Sequence, residues 1–174
     1  MKDFIREGDA ATVEAHPLSL ELVSRLMRLD SAAFGRAVCR LLTAMGYERP
    51  RTLAHAGLGG RNKDGGADIE VYARTGVTVI KVLVQAKQYS EPVPARYVDT
   101  LRGALARSGG GAGLIISTGG FSTVAVEAAE TPGLPPVRLV DGSAFVRLMI
   151  RHGLGVRGGL IVDEAYFARL AGAS

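Results

Sequence analysis

DGGADIEVYARTGVTVIKVLVQAK, residues 64–87, carries two β-strands joined by a tight turn. From Ala67 to Arg74 the apolar residues Ala67, Ile69, Val71 and Ala73 alternate with Asp68, Glu70, Tyr72 and Arg74, the period of a strand with one wet face. Val77 to Lys87 is rich in β-branched residues and long enough for a central strand, with Thr75-Gly76 as the turn. An even-numbered turn there sets Arg74 opposite Val77 and Asp68 opposite Leu83. Asp68, Gln85 and Lys87 then project from one side of the hairpin, while Glu70 faces Lys81 as a cross-strand ion pair.

Upstream, Gly57 to Gly66 reads as a glycine-rich loop and Arg51 to His55 as a strand. Ser31 offers an N-cap for a helix whose stripe is Phe34, Val38, Leu41, Leu42 and Met45, ended by Gly46. Leu18, Leu22, Leu26 and Leu29 mark a shorter amphipathic helix ending near Asp30, and residues 1–17 have no period and read as a loosely held leader. Downstream, Pro94 to Arg107 is predicted helical, with Tyr97, Leu101, Ala104 and Leu105 facing inward and Gly109-Gly110-Gly111 closing it. A strand at Gly113–Ser117, a helix from the Ser122 cap to Glu130, a strand at Val137–Val140 and a helix from Asp141-Gly142-Ser143 to His152 follow. The order β, α, β, α after a hairpin predicts an α/β fold: a mixed β-sheet flanked by helices on both faces.

A chain of 174 residues with 47% apolar and 22% charged residues has the balance of one folded domain rather than of a disordered tail. Its apolar runs are too short to span a bilayer and its first residues lack the apolar core of a secretory signal, so a cytoplasmic location is expected. Cys39 is the only cysteine, which rules out an internal disulfide, and it reads as a buried small hydrophobe. The net charge of +4 permits a polyanionic partner without demanding one. It is carried by seventeen arginines and only four lysines, so each lysine is an informative choice, a compact charge able to approach a reacting oxygen.

Asp68, Gln85 and Lys87 bring an acid, an amide and an ammonium together. That set suits metal-assisted phosphodiester hydrolysis, because a hard divalent cation prefers oxygen ligands and keeps several of its waters. Asp68 is the expected main ligand, with the Gln85 side-chain oxygen and the Ala86 carbonyl beside it, and Lys87 orients a water or offsets charge on the phosphate. Read singly, each piece is ordinary. Asp64 to Asp68 is the mouth of a loop, Asp64 suits an Asx turn, and Gln85 with Lys87 suits the wet face of an edge strand. Against the last reading, the Val77–Ala86 run is too apolar for an edge. His16, His55 and His152 have no metal-binding spacing.

Five blocks, in order, resemble the Mrr-type restriction endonucleases, a branch of the PD-(D/E)xK nucleases. They are Phe34 with Leu41 to Tyr47, Asp64 to Asp68, Val84 to Lys87, Ser117 to Ser122, and Leu139 to Gly142 with Leu148-Met149. The resemblance runs from about Phe34 to Val156. It implies a magnesium-dependent endonuclease, with manganese as a substitute, acting on double-stranded and in this family often modified foreign DNA, with Asp68, Gln85 and Lys87 at the catalytic positions. Arg61, Lys63 and Arg96 flank the expected cleft as phosphate contacts, with Asp64 in a secondary role. Thr118 to Ser122 reads either as a phosphate dock or as a plain Ser122 cap.

Two departures stand out. Gly35 follows Phe34 where the family usually carries an acid, which favours an alternative: a nuclease-like DNA-binding module with weak or lost cleavage. The residues before Phe34 are too few for the winged-helix reader the family often carries, so a separate DNA-recognition protein is an expected partner, beside a homodimer able to cut two strands. The expected division is a leader and short helix at 1–30, a nuclease domain at 31–156, and a C-terminal extension at 157–174 packing on or trailing it.

Overall fold

The computed structural model describes residues 17–53, 66–158 and 161–172. The expected leader and most of the glycine-rich loop, including Arg61, Lys63 and Asp64, lie outside them. Two helices open the described chain, α1 (Pro17–Arg28) and α2 (Ser31–Ala44). The cap of α2 is Asp30 rather than Ser31: the Asp30 carboxylate accepts the Ala33 N–H at 2.7 Å, and Ser31 is the first helical residue. Either residue type can cap, and the chain takes the carboxylate, which also suits the positive end of the helix dipole.

Five strands follow: β1 (Glu48–Thr52), β2 (Ile69–Thr75), β3 (Thr78–Lys87), β4 (Ala112–Ser117) and β5 (Val137–Val140). They form one sheet in the order β1-β2-β3-β4-β5. The first three pair antiparallel, and β3-β4 and β4-β5 pair parallel. The parallel steps are bridged by α3 (Arg96–Ser108) and α4 (Thr123–Ala129), as a parallel connection requires. Then come α5 (Gly142–Arg151), a small pair of strands β6 (Val156–Arg157) and β7 (Ile161–Val162), and α6 (Glu164–Ala171). The first strand starts three residues earlier than expected, and a bulge between Glu48 and Arg51 bends it.

Alternation along the strands divides the apolar side chains between two layers. Ile69, Val71, Val82, Val84, Leu114, Ile116 and Val140 meet α1, α2, α5 and α6 on one side. Leu83, Ile115 and Val137 meet Val98, Leu101 and Leu105 of α3 and Ala125 of α4 on the other. The mixed sheet covered on both faces is the fold expected. Leu18, Leu22 and Leu26 of α1 belong to the larger cluster, so this short helix packs into the same core as α2. Tyr166, Phe167 and Leu170 of α6 join the same cluster, and Arg36 donates from Nε to the Leu170 carbonyl at 2.9 Å. Cys39 is half-buried against that layer rather than fully enclosed.

The hairpin differs from expectation by its turn. Thr75 pairs with Thr78, so the two turn residues are Gly76 and Val77, not Thr75 and Gly76. Gly76 takes φ +59°, which a glycine adopts without a Cβ penalty at the first position of a type II′ turn. Glu70 therefore lies opposite Leu83, and Tyr72 opposite Lys81. A shift of two residues keeps every side chain on its face. The Glu70–Lys81 ion pair also survives, as a diagonal contact of 3.6 Å instead of a directly opposed one.

Candidate active site

Asp68 stands just ahead of β2 and is held by three bonds. Its N–H donates to the Val84 carbonyl at 2.8 Å, and its own carbonyl accepts from Leu53 at 2.9 Å. Its carboxylate Oδ2 accepts the Ala86 N–H at 2.9 Å. The backbone of Ala86 points toward β2, since the next carbonyl, Lys87, turns the other way and accepts the Thr118 N–H at 3.0 Å. Where the β2–β3 ladder ends, the Asp68 side chain completes it. Burial raises the Asp68 pKa, and the Lys87 ammonium and the Ala86 N–H act against that rise without cancelling it.

Gln85 lies on the same face and is 2% exposed. Its amide nitrogen donates to the Gly66 carbonyl, which fixes the orientation of the amide and leaves Oε1 buried with no hydrogen-bond partner among the described residues. Gly66 makes this possible. Its φ of +95° suits glycine, and a Cβ there would lie 2.6 Å from Thr100 Cγ2 and 3.1 Å from Gln85 Nε2. A buried amide oxygen without a donor costs roughly 1–3 kcal/mol, so the site carries an acceptor that a cation or a water would satisfy.

Lys87 extends from the last residue of β3 over the ring of Tyr97, its ammonium 4.9 Å from the centroid. The Arg96 guanidinium lies 4.9 Å from the same centroid. Cation–ring contacts of this kind are worth about 0.5–1 kcal/mol at partly exposed sites. Tyr97 is tied in turn to Tyr89, hydroxyl to hydroxyl at 2.6 Å. That bond, with Arg96 and Lys87 nearby, lowers the Tyr97 phenol, while Tyr89 is raised, first by the same bond. Either hydroxyl can donate in that bond.

The segment after β3 is held from the other parallel strand. Thr118 Oγ1 donates to the Tyr89 carbonyl at 3.0 Å. A Cβ at Gly119 would meet the carbonyls of Tyr89, Ser90 and Glu91 at 2.6, 3.2 and 3.3 Å, so only glycine lets the two segments approach. Ser122 caps α4 by accepting the Ala125 N–H at 3.1 Å. Of the two readings of this stretch, the cap is present, and Thr118-Gly119 seats the segment bearing Tyr89. The aromatic pair escaped the sequence reading, which took Tyr97 only as an inward-facing helix residue. A lysine two residues before one tyrosine and an arginine beside the other was the available signal.

The structure thus brings Asp68, Gln85 and Lys87 to one face beside Tyr97 and the exposed Arg96. Among the described residues no three His, Cys, Asp or Glu gather as a metal-binding group. Among the described residues, the oxygens here that could hold a cation are one carboxylate and neutral acceptors. Gln85 Oε1, beside the Asp68 hairpin and without a partner among the described residues, fits that donor set.

A family model described as a restriction endonuclease, the Mrr catalytic domain, matches residues 26–149. The type IV methyl-directed restriction enzyme EcoKMrr of Escherichia coli (strain K12) is 32% identical over 151 residues, covering 84% of this chain and 48% of that protein. This chain therefore spans about half the length of that curated relative. Among solved structures, the DNA modification-dependent restriction endonuclease AspBHI superposes with a TM-score of 0.69 at 20% identity, over 98% of this chain and 44% of that one. The MspJI restriction endonuclease, solved in complex with a 27-mer oligonucleotide, gives 0.62 at 20% identity, over 88% and 35%. At that identity the two structures speak for the fold, which is the restriction-endonuclease fold. With a family match over most of its length and a relative of this similarity, the chain belongs to the Mrr-type restriction endonuclease family.

Proposed function

We propose that this chain is a divalent-metal-dependent endonuclease of restriction type that hydrolyses phosphodiesters of double-stranded DNA. The observation that carries the reading is the meeting of the Asp68 carboxylate, the Gln85 Oε1 that has no partner among the described residues, and the Lys87 ammonium on one face of a family member's hairpin. Asp68, Gln85 Oε1 and the Ala86 carbonyl are the oxygens that would hold magnesium, or manganese in its place. When bound, such an ion polarises the phosphoryl oxygen and neutralises growing negative charge.

The chain's own groups do the rest. Lys87 orients the attacking water or offsets charge on the phosphate oxygens as one water adds to phosphorus and one ester oxygen leaves with a proton. Gln85 holds the Gly66 carbonyl and so keeps the loop mouth in place. Arg96, with Arg61 and Lys63, neutralises flanking phosphates, and Asp64 assists from the loop. The names of EcoKMrr and AspBHI support modified foreign DNA as the substrate class. A homodimer would supply two sites for two strands, and target selection would come from a recognition unit beyond residues 17–172.

A second reading, a DNA-binding module that cleaves weakly or not at all, has one observation in its favour. Gly35 stands where relatives usually carry an acid, although a Cβ there would meet nothing within 4 Å and a larger side chain has room. Nicking of supercoiled plasmid with magnesium or manganese separates the two. Cutting by the wild type that is lost in Asp68→Ala and in Lys87→Ala, with DNA affinity kept, supports the endonuclease. Binding without cutting supports the module.

A further inference from the structure

Beyond the side chains already given roles, Tyr89 and Tyr97 have no assigned purpose, yet Lys87 and Arg96 both lie against the Tyr97 ring. We propose that Tyr97 is a positioning residue whose ring, latched by the Tyr89 hydroxyl, holds the Lys87 ammonium and the Arg96 guanidinium together as one phosphate-directed arm beside Asp68. Its catalytic consequence rests on the nuclease reading; the placement of the ammonium does not.

The argument starts from freedom. Lysine has a four-carbon stem and a strongly hydrated head, and left alone it samples many rotamers at a strand end. Lys87 is half-buried with its ammonium 4.9 Å from the Tyr97 centroid, so the ring narrows that choice. The ring is itself held. Tyr97 sits in the first turn of α3, its hydroxyl meets that of Tyr89 at 2.6 Å, and the two rings pack edge to face at 6.0 Å. Tyr89 is anchored by Thr118 Oγ1 at 3.0 Å and by the close seat on Gly119. An unbroken chain of contacts therefore runs from β4 through Tyr89 and Tyr97 to Lys87.

Arg96 gives the arrangement its direction. Both cations lie 4.9 Å from one centroid, so they are at most roughly 10 Å apart, about one Debye length at 0.1 M salt. Two like charges gathered there repel, and an anion drawn between them removes the repulsion. A phosphodiester is the anion with oxygens for both, an ammonium taking one as a point charge and a guanidinium taking others through its fork. A tyrosine serving only as core filler would not need two cations on its ring.

The test uses the full chain labelled with ¹³C-lysine, whose four lysines give few signals, with Lys87 assigned by its loss in Lys87→Met. The Lys87 ε-methylene resonance is expected upfield in the wild type from the ring current, less far upfield in Tyr97→Phe, which keeps the ring but loses the hydroxyl latch, and at the free-lysine position in Tyr97→Leu. In plasmid nicking, Tyr97→Leu lowers kcat on the order of 10- to 100-fold, as a displaced catalytic group does, and Tyr97→Phe, which keeps the ring without the latch, falls between the two. A wild-type Lys87 signal at the free-lysine position overturns the proposal. So does a Tyr97→Leu variant that loses the shift yet cuts as fast as the wild type. If Tyr97→Leu fails to fold, Tyr89→Phe serves: a reduced upfield shift supports the latch, and an unchanged one overturns it. A wild type that cuts no DNA while keeping the shift overturns the nuclease reading and leaves the placement of the ammonium standing.

Discussion

Gln85 donates its amide N–H to the carbonyl of Gly66, two residues ahead of Asp68, and in doing so turns its own oxygen into a buried acceptor without a donor among the described residues. One contact thus sets both the approach of the loop to the sheet and the chemistry offered at the site.

Gly66→Ala is expected to damage both. The new methyl meets Thr100 Cγ2 at 2.6 Å and Gln85 Nε2 at 3.1 Å, at a φ that favours glycine. A loss of about 1–3 kcal/mol in urea denaturation is expected. Adding Thr100→Ser, which removes the clashing methyl, should recover part of that loss and not all, because the backbone strain stays.

Asp68→Asn is expected to stabilise the metal-free protein at neutral pH while abolishing activity. Burial raises the Asp68 pKa above its ordinary 3.8, so the native state binds the proton more tightly than the unfolded chain. The native state is therefore penalised wherever the carboxylate is charged, and stability falls as pH rises from 3.8 through the raised value. Thermal melts in EDTA should show the variant melting higher at pH 7, with the difference vanishing below pH 3.8.

Glu70 is expected to behave in the opposite sense. Burial alone would raise it, but hydrogen bonds from Arg51 and Tyr72, both 3.1 Å, and the Lys81 charge bring it below its ordinary value. Its stabilisation is present above pH 4.5 and lost as pH falls through the lowered value. Glu70→Gln should cost about 1–2 kcal/mol at pH 7, and much less in acid, by denaturant melts at both pH values.

The face shared by Asp68, Gln85 and Lys87 was legible because parity is robust. Alternation from Ala67 to Arg74 placed Asp68 on the wet face, and the misplaced turn moved the register by two residues, which flips nothing. The turn itself was misread because Thr75-Gly76 and Gly76-Val77 both leave an even loop, and only the glycine backbone decides between them. The Asp30 cap was missed because Asp30 and Ser31 are adjacent and chemically equivalent candidates. Tyr89 could not be placed from local pattern at all, since Thr118 and Gly119 hold it from a strand some thirty residues on. The membership of α1 in the core was likewise hidden. Its stripe of Leu18, Leu22 and Leu26 says that a face is buried, not against what.

The most direct test of the account is whether Asp68 and Lys87 act as one unit, measured as single-turnover cleavage of a duplex in magnesium by Asp68→Ala, Lys87→Ala and the double variant. Each single change should cost at least ~100-fold, and the double variant should lose little more, as groups sharing one transition state do. Losses that multiply, or cutting that survives both changes, would contradict a single site built from these side chains.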